Sequence, residues 1–299
     1  MVLVDALFLL RPSILIPCWT IFIIGNFQNQ GSFDSQFFSA IGGFTLLMGG
    51  VYILNQIFDR ESDRINKKLF LLSQGIFPLW LAILELVICW ALALLLIRGM
   101  STPFINLFIG AWVLGILYTT PPFKLKKRPL LDLIANGAGY GIITFLLGAT
   151  AARPYGAEIV WWALPYALAV GGVFVNTTIV DMNGDRKANE QTTAILLGAR
   201  TSRFLSLLLI TTAIVLAIIN RDNLALVAIA LSLPVFILAI IKGERRFDIL
   251  SFRLPPFILA VAAGLVYPPY LIFLALVILA MRIYYQKRFN LTFPSPLGG

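Results

Sequence analysis

The sequence contains no histidine, only two cysteines and few charges, with Lys, Arg, Asp and Glu together making up 12% of its 299 residues. The missing histidine removes imidazole from every role, whether metal ligand, triad base or proton shuttle near neutral pH. Any acid–base work falls to Asp, Glu, Lys, Tyr or water. Cys18 and Cys89 both lie inside apolar runs, where a cysteine behaves as a small buried hydrophobe, so neither a disulfide nor a thiolate metal site is expected. What fills the chain instead is apolar. A hydrophobic fraction of 59% and a mean hydropathy of +0.89 exclude a soluble globular protein and indicate an integral membrane protein. In such a chain the formal charge of +9 is expected on loops at the cytoplasmic face and does not indicate nucleic-acid binding.

Arg11-Pro12 precedes an apolar run to Phe27. No small-residue cleavage site follows, so this run reads as a first membrane helix and not as a signal peptide. Further apolar segments lie at about 37 to 57, 77 to 97, 102 to 118, 130 to 150, 159 to 180, 203 to 219 and 223 to 241, each long enough for a hydrocarbon core roughly 30 Å thick. The last stretch, from Leu254 to about Arg282, is interrupted by Tyr267-Pro268-Pro269 and is expected as one kinked helix or two short ones. The chain is thus expected to be one all-α, polytopic domain over 1–299, crossing nine or ten times.

With a cytoplasmic N-terminus and alternating spans, one side receives Arg11, Arg60, Arg64, Lys67, Lys68, Lys124, Lys126, Lys127 and Arg128. It also receives Arg186, Lys187, Arg200, Arg203, Lys242, Arg245, Arg246 and Arg253, whereas the other side holds only Arg98, Arg153 and Arg221. The asymmetry predicts that the basic loops are cytoplasmic.

Two acidic clusters end long apolar segments on that side: Asn55, Asp59 and Asp63, then Asp181 and Asp185. Spacing of four puts each set on one helical face, a turn apart. A single acidic helix end is as readily a solvated turn. Two at matching helix ends mark an ion or substrate site, because carboxylates near hydrocarbon are costly. A hard divalent cation such as Mg2+ is held by one or two carboxylates plus substrate phosphates, so the pair suits a diphosphate. The motifs, at 55–63 and 181–185, also suggest two pseudo-equivalent halves. Arg60, Arg186 and Lys187 serve either orientation or phosphate binding. Between the halves runs Tyr118-Thr119-Thr120-Pro121-Pro122-Phe123-Lys124-Leu125-Lys126-Lys127-Arg128, where paired prolines force a turn. Lys124 is the candidate to reach a diphosphate, with Lys126, Lys127 and Arg128 assigned to orientation.

Together, the Asn-x3-Asp-x3-Asp run, the Tyr118–Lys124 loop and Asp181-x3-Asp185, followed by Arg186-Lys187 and Thr192-Thr193, resemble the UbiA superfamily of intramembrane prenyltransferases. The resemblance covers most of the chain. It implies about nine transmembrane helices around a central cavity, with Mg2+ bridging a prenyl diphosphate to Asn55, Asp59, Asp63, Asp181 and Asp185, and with Tyr118 and Lys124 in the family's loop.

The chemistry also follows from charge. Diphosphate leaves only when its charge is neutralised, and an apolar bundle rich in phenylalanine shields the resulting allylic cation from water. Asp132, Asn136 and Tyr140 are expected on one face as acceptor-side groups, Asn176 extends the second motif, and Glu85 either lines the cavity or is locally satisfied. The glycine pairs at 42–43, 49–50 and 171–172 read as helix-packing positions. The expected reaction is transfer of a polyprenyl group to an acceptor, with an aromatic quinone precursor favoured over a lipid-like or tetrapyrrole acceptor. Beyond substrate and membrane lipid, no obligate protein partner is evident. A cation-coupled transporter is the alternative from another class; against it, the carboxylates are expected at the cytoplasmic mouth and not at the midplane.

Overall fold

The computed structural model describes residues 2–65, 71–152, 156 and 158–293, and among them every regular element is helical. Lys67, Lys68 and Arg153, used above for orientation, lie outside the described residues. The helices are α1 (Val2–Leu9), α2 (Pro12–Gln28), α3 (Ser35–Ile65), α4 (Leu79–Leu96), α5 (Thr102–Thr119), α6 (Leu131–Asn136) and α7 (Thr144–Ala152). They continue with α8 (Ile159–Lys187), α9 (Thr193–Ile219), α10 (Asn223–Lys242), α11 (Arg245–Val266) and α12 (Pro269–Phe289). A π-helical segment, Gly137–Ile143, joins α6 to α7 as one span. Among the described residues nine helical spans are long and apolar enough to cross a membrane, and α1 with α2, bent by 47°, make a possible tenth.

Two segments differ from expectation. The last stretch is two full-length spans of 22 and 21 residues, α11 starting at Arg245, well before Leu254. Pro255 and Pro256 lie inside α11, as membrane helices tolerate where neighbours re-satisfy the freed carbonyls. The early start is stabilised by Asp248, which is buried and takes a two-pronged bond from Arg203 Nε and Nη2 (2.8 and 2.7 Å). Likewise α9 starts at Thr193 and not near 203, with a kink at Gly198 (φ 77°) that only glycine adopts without cost.

Lipid is as apolar as leucine, so burial alone does little to hold such helices together, and small residues with interhelical hydrogen bonds must do it. On α2 and α7 the backbones touch: a Cβ on Gly25 would lie 2.1 Å from Phe145 O, and one on Gly148 would lie 1.9 Å from Phe22 O. Helix α2 is correspondingly buried all round from Cys18 to Asn26 and forms the centre of the bundle. Bonds such as Trp19 Nε1 to Thr45 Oγ1 (2.8 Å), Thr20 to Tyr270 (2.7 Å) and Asn29 Nδ2 to Ala149 O (2.8 Å) cross between helices, each worth about 0.6 to 2 kcal/mol. The glycine pairs behave as read: Gly50 faces the Trp90 ring, and Gly172 lies against the Ser206 carbonyl.

Helices α1 and α12 meet at the motif-bearing end of α3. Asp5 accepts from Tyr284 Oη (2.6 Å) and pairs with Arg288, while Phe8 stacks on Tyr284 at 3.7 Å. One residue on, the Leu9 carbonyl accepts from Gln56 Nε2 (2.8 Å), immediately beside Asn55.

Candidate active site

The ends of α3 and α8 come together. Asp59 and Asp63 from α3 face Asp181 and Asp185 from α8 across a cavity of about 150 Å³, which Tyr118, Lys126, Phe174, Thr178, Glu190 and Thr192 complete. The spacing explains the wall on α8: Phe174, Thr178, Asp181 and Asp185 fall at intervals of four, three and four, a single helical stripe. Asp63 and Asp185 are buried, with Asp59 and Asp181 half-buried.

The lysine loop is closed down on this cavity by its own backbone. Lys124 N bonds Thr120 O (2.9 Å), a 3₁₀ turn spans Leu125–Lys127, and Arg128 Nη2 bonds Pro122 O (2.9 Å). Lys126 Nζ is delivered to both Asn55 Oδ1 and Asp59 Oδ2, whereas Lys124 Nζ stops 3.9 Å from Asp59 Oδ1. Lys126, which sequence reading assigned to orientation, therefore occupies the position given to Lys124. Lys127 pairs with Glu190 in the α8–α9 connection, so the loop contacts the end of α3 through Lys126 and the segment just after α8 through Lys127. Burial, followed by the adjacent Lys127 cation, pushes the Lys124 ammonium down to about 8. Burial also lowers Lys126, against the pull of Asp59. For Lys127 burial acts downward, but the bond and charge of Glu190 prevail and raise it.

Tyr118 and Asn55 lead into a second, deeper cavity of about 180 Å³. Its apolar walls include Phe44, Met48, Val51, Ala111 and Leu114, and Arg11, Tyr52, Asn136 and Tyr140 bring polar groups to it. Asn136 Nδ2 donates to Tyr118 Oη (2.9 Å), and Tyr140 Oη shares a bond with Tyr52 Oη (2.7 Å). The π-helical segment carries Gly139 and Tyr140 to this wall, and Thr144 Oγ1 bonds the Gly139 carbonyl five residues back (2.9 Å).

Several expected residues stand elsewhere. Asp132 is fully buried beneath the start of α9, where it accepts from Thr193 N (2.8 Å), Thr193 Oγ1 and Leu133 N (2.7 Å), so its oxygens are engaged and it lines neither cavity. Asn176 faces α11, donating to Ser251 Oγ (2.6 Å), and also lines neither. Arg60, Arg186 and Lys187 are exposed to solvent and absent from the cavity walls. Glu85 is half-buried on α4 and lines neither cavity. Conversely, Glu190, Thr178 and Thr192 were not singled out for the cavity, nor Tyr52 and Arg11 for the deeper one. Thr178 precedes Asp181 by three and Tyr52 precedes Asn55 by three, which is the signal that helical spacing offered.

The donor set suits a hard cation. Every acidic wall residue offers carboxylate oxygen and none offers sulfur or imidazole. Among the described residues no three such side chains converge closely enough to chelate an ion alone. An ion placed here would need oxygen ligands from a bound substrate or water to complete its shell.

Comparison with known proteins agrees with this geometry. The fold matches a UbiA homologue from Archaeoglobus fulgidus bound to GPP and Mg2+, with a TM-score of 0.70 at 19% identity, covering 91% of this chain and 99% of that one. It also matches an apo UbiA homologue from Aeropyrum pernix K1, with a TM-score of 0.70 at 20% identity, covering 85% and 98%. In sequence it is 29% identical over 205 residues to a chloroplastic 2-acyl-4-prenylphloroglucinol 6-prenyltransferase of Humulus lupulus, 63% of this chain and 50% of that protein. It is 26% identical over 217 residues to a lycopene elongase/hydratase of Corynebacterium glutamicum, 70% of this chain and 74% of that protein. The chain thus spans about half the length of the plant relative. The profile of one family runs through both motifs and the lysine loop, over residues 14–249, and on that extent the chain belongs to the UbiA prenyltransferase family.

Proposed function

We propose that this protein transfers a prenyl group from a prenyl diphosphate to a hydroxylated aromatic acceptor within the membrane. The observation that carries the reading is the pairing of cavities: an acidic one with a lysine in its wall, sharing Tyr118 as a wall residue with an apolar one edged with hydroxyl groups. Asp59, Asp63, Asp181 and Asp185 would hold Mg2+. When bound, that ion neutralises diphosphate charge as a Lewis acid. Lys126 stands against Asn55 and Asp59 and is placed to donate to a phosphate oxygen, with Lys124 adding a second cation.

When the allylic C1–O bond breaks, its electron pair stays with the diphosphate. The walls formed by Phe44, Met48 and Leu114 keep water from the cation left at C1. The acceptor's ring carbon bonds to C1 and loses its proton to the departing diphosphate or to water at the cavity mouth. Tyr52 and Tyr140 bond each other and Asn136 bonds Tyr118, and the remaining acceptor capacity of these groups would orient ring hydroxyls. We also assign the acidic end to the cytoplasmic face, on the support of the Lys and Arg asymmetry.

The test is incubation of the purified protein in detergent with Mg2+ and geranyl diphosphate, offering a dihydroxylated aromatic acid and an apolar polyene in parallel, with product mass read by mass spectrometry. A prenylated aromatic product is expected. Prenylation of the polyene alone would move the acceptor class to hydrocarbons, and no product from any prenyl donor would count against transfer.

A further inference from the structure

Most hydroxyl groups near the acidic cavity are already engaged. Thr178 Oγ1 donates to Val175 O (2.8 Å), Thr120 Oγ1 donates to Ile116 O (2.8 Å), and Thr193 Oγ1 both donates to Asp132 and accepts from Leu130 N (2.8 Å). Thr192 is different. Its side chain is 5% exposed, it lines the acidic cavity between Glu190 and the two motif helices, and its Oγ1 has no hydrogen-bond partner among the described residues. It stands just before α9, where a threonine commonly caps the helix, yet its side chain makes no capping bond. The first amide of α9 is taken instead by Asp132.

A buried hydroxyl without a partner is a net cost to the folded protein of the order of the desolvation of that group. The cost is removed when a ligand supplies the partner. We propose that Thr192 is a substrate-binding residue whose hydroxyl donates to a phosphate oxygen of the diphosphate, from the connection between α8 and α9. This rests on the reading above that the cavity holds a diphosphate. The chemistry favours donation to an anion. The wall around Thr192 is dominated by carboxylates, and Lys126, its one basic member, is committed to Asn55 and Asp59, so a phosphate in the cavity needs further donors. Asp132 acts behind it as a positioning residue: by holding both Thr193 and, through Thr193, Leu130, it fixes Thr192 relative to the lysine loop.

The experiment measures binding of geranyl thiolodiphosphate, which does not ionise readily, to full-length protein in detergent at saturating Mg2+, for wild type, Thr192→Val and Thr192→Ser. The isosteric valine is expected to weaken binding by about ten- to a hundredfold, the range for one hydrogen bond to a charged group, and serine to restore it. The unliganded valine variant is expected to melt at the wild-type temperature or above it, because an unpartnered buried hydroxyl has been removed. Valine binding within twofold of a wild type that binds well overturns the proposal and leaves the proposed function standing. A lowered melting temperature in the valine variant also overturns it, by assigning the hydroxyl to the fold. A raised Mg2+ requirement with unchanged affinity at saturating Mg2+ overturns it in favour of a metal ligand. Absence of binding by the wild type overturns this proposal and the function on which it rests.

Discussion

The two motif ends carry similar sequences and different charge environments. At the end of α3, Asp59 is met by Lys126, 67 residues downstream in the chain, and approached by Lys124 of the same loop. At the end of α8 the basic residues supplied by the motif itself, Arg186 and Lys187, turn to solvent, and Asp181 has no ion pair among the described residues. The lesson is that a cation adjacent in sequence is not a cation adjacent in space. On a helix, residues one or two along from Asp185 point away from its face. A lysine on a well-defined turn reaches across instead. Asp59 thus has a counter-charge from the lysine loop, whereas Asp181 has no ion pair among the described residues.

The contrast can be broken by substitution. Asp181→Asn and Asp59→Asn are both expected to reduce turnover at least about a hundredfold, measured by diphosphate release from detergent-extracted protein that stays folded. The sharper form concerns Mg2+: Asp181→Asn is expected to raise the Mg2+ requirement more than Asp59→Asn, since Asp59 shares its charge with lysine. Equal shifts would remove the asymmetry. Next in size, Lys126→Met is expected to raise KM for prenyl diphosphate by about tenfold or more, and Lys124→Met by less, because only Lys126 bonds into the cavity. A larger effect at Lys124 would reverse the assignment.

Smaller still is the pH effect. With Lys124 pushed down to about 8, its charged form exists below that pH and is lost above it, so kcat/KM is expected to fall as pH rises through about 8. In Lys124→Arg, whose guanidinium keeps its proton, the fall should disappear. Arg186→Ala should change kcat/KM by no more than about twofold, as expected of a solvated side chain. Outside the cavity, Asp132→Asn is expected to lower stability by about 1 to 3 kcal/mol, read as a lower melting temperature, because buried donors of Thr193 and Leu133 lose their charged acceptor.

These cases also show what the sequence could and could not tell. The spans, the two carboxylate faces and the membrane class were legible, because hydropathy and four-residue spacing are local properties of a helix. The choice between Lys124 and Lys126 was not. It depends on a turn at Thr120–Lys124 and a 3₁₀ turn after it, geometry that leaves no hydrophobic period. Spacing of four puts Asp132, Asn136 and Tyr140 on one face of a regular helix, but α6 is only six residues long before the π-helical segment resets the register. Asp132 turns to α9, while the other two enter the deeper cavity. Arg11 was seen only as a topological charge, although the bend between α1 and α2 places it at the wall of that cavity.

The most direct test of the account is release of diphosphate from geranyl diphosphate by purified wild-type protein, titrated with Mg2+ in the presence of an acceptor, beside Asp59→Asn and Asp181→Asn. The account predicts release that needs Mg2+, saturates, and collapses in both variants. Release that persists without Mg2+, or that survives in both variants, would contradict a reaction centred on the carboxylates that face each other across this cavity.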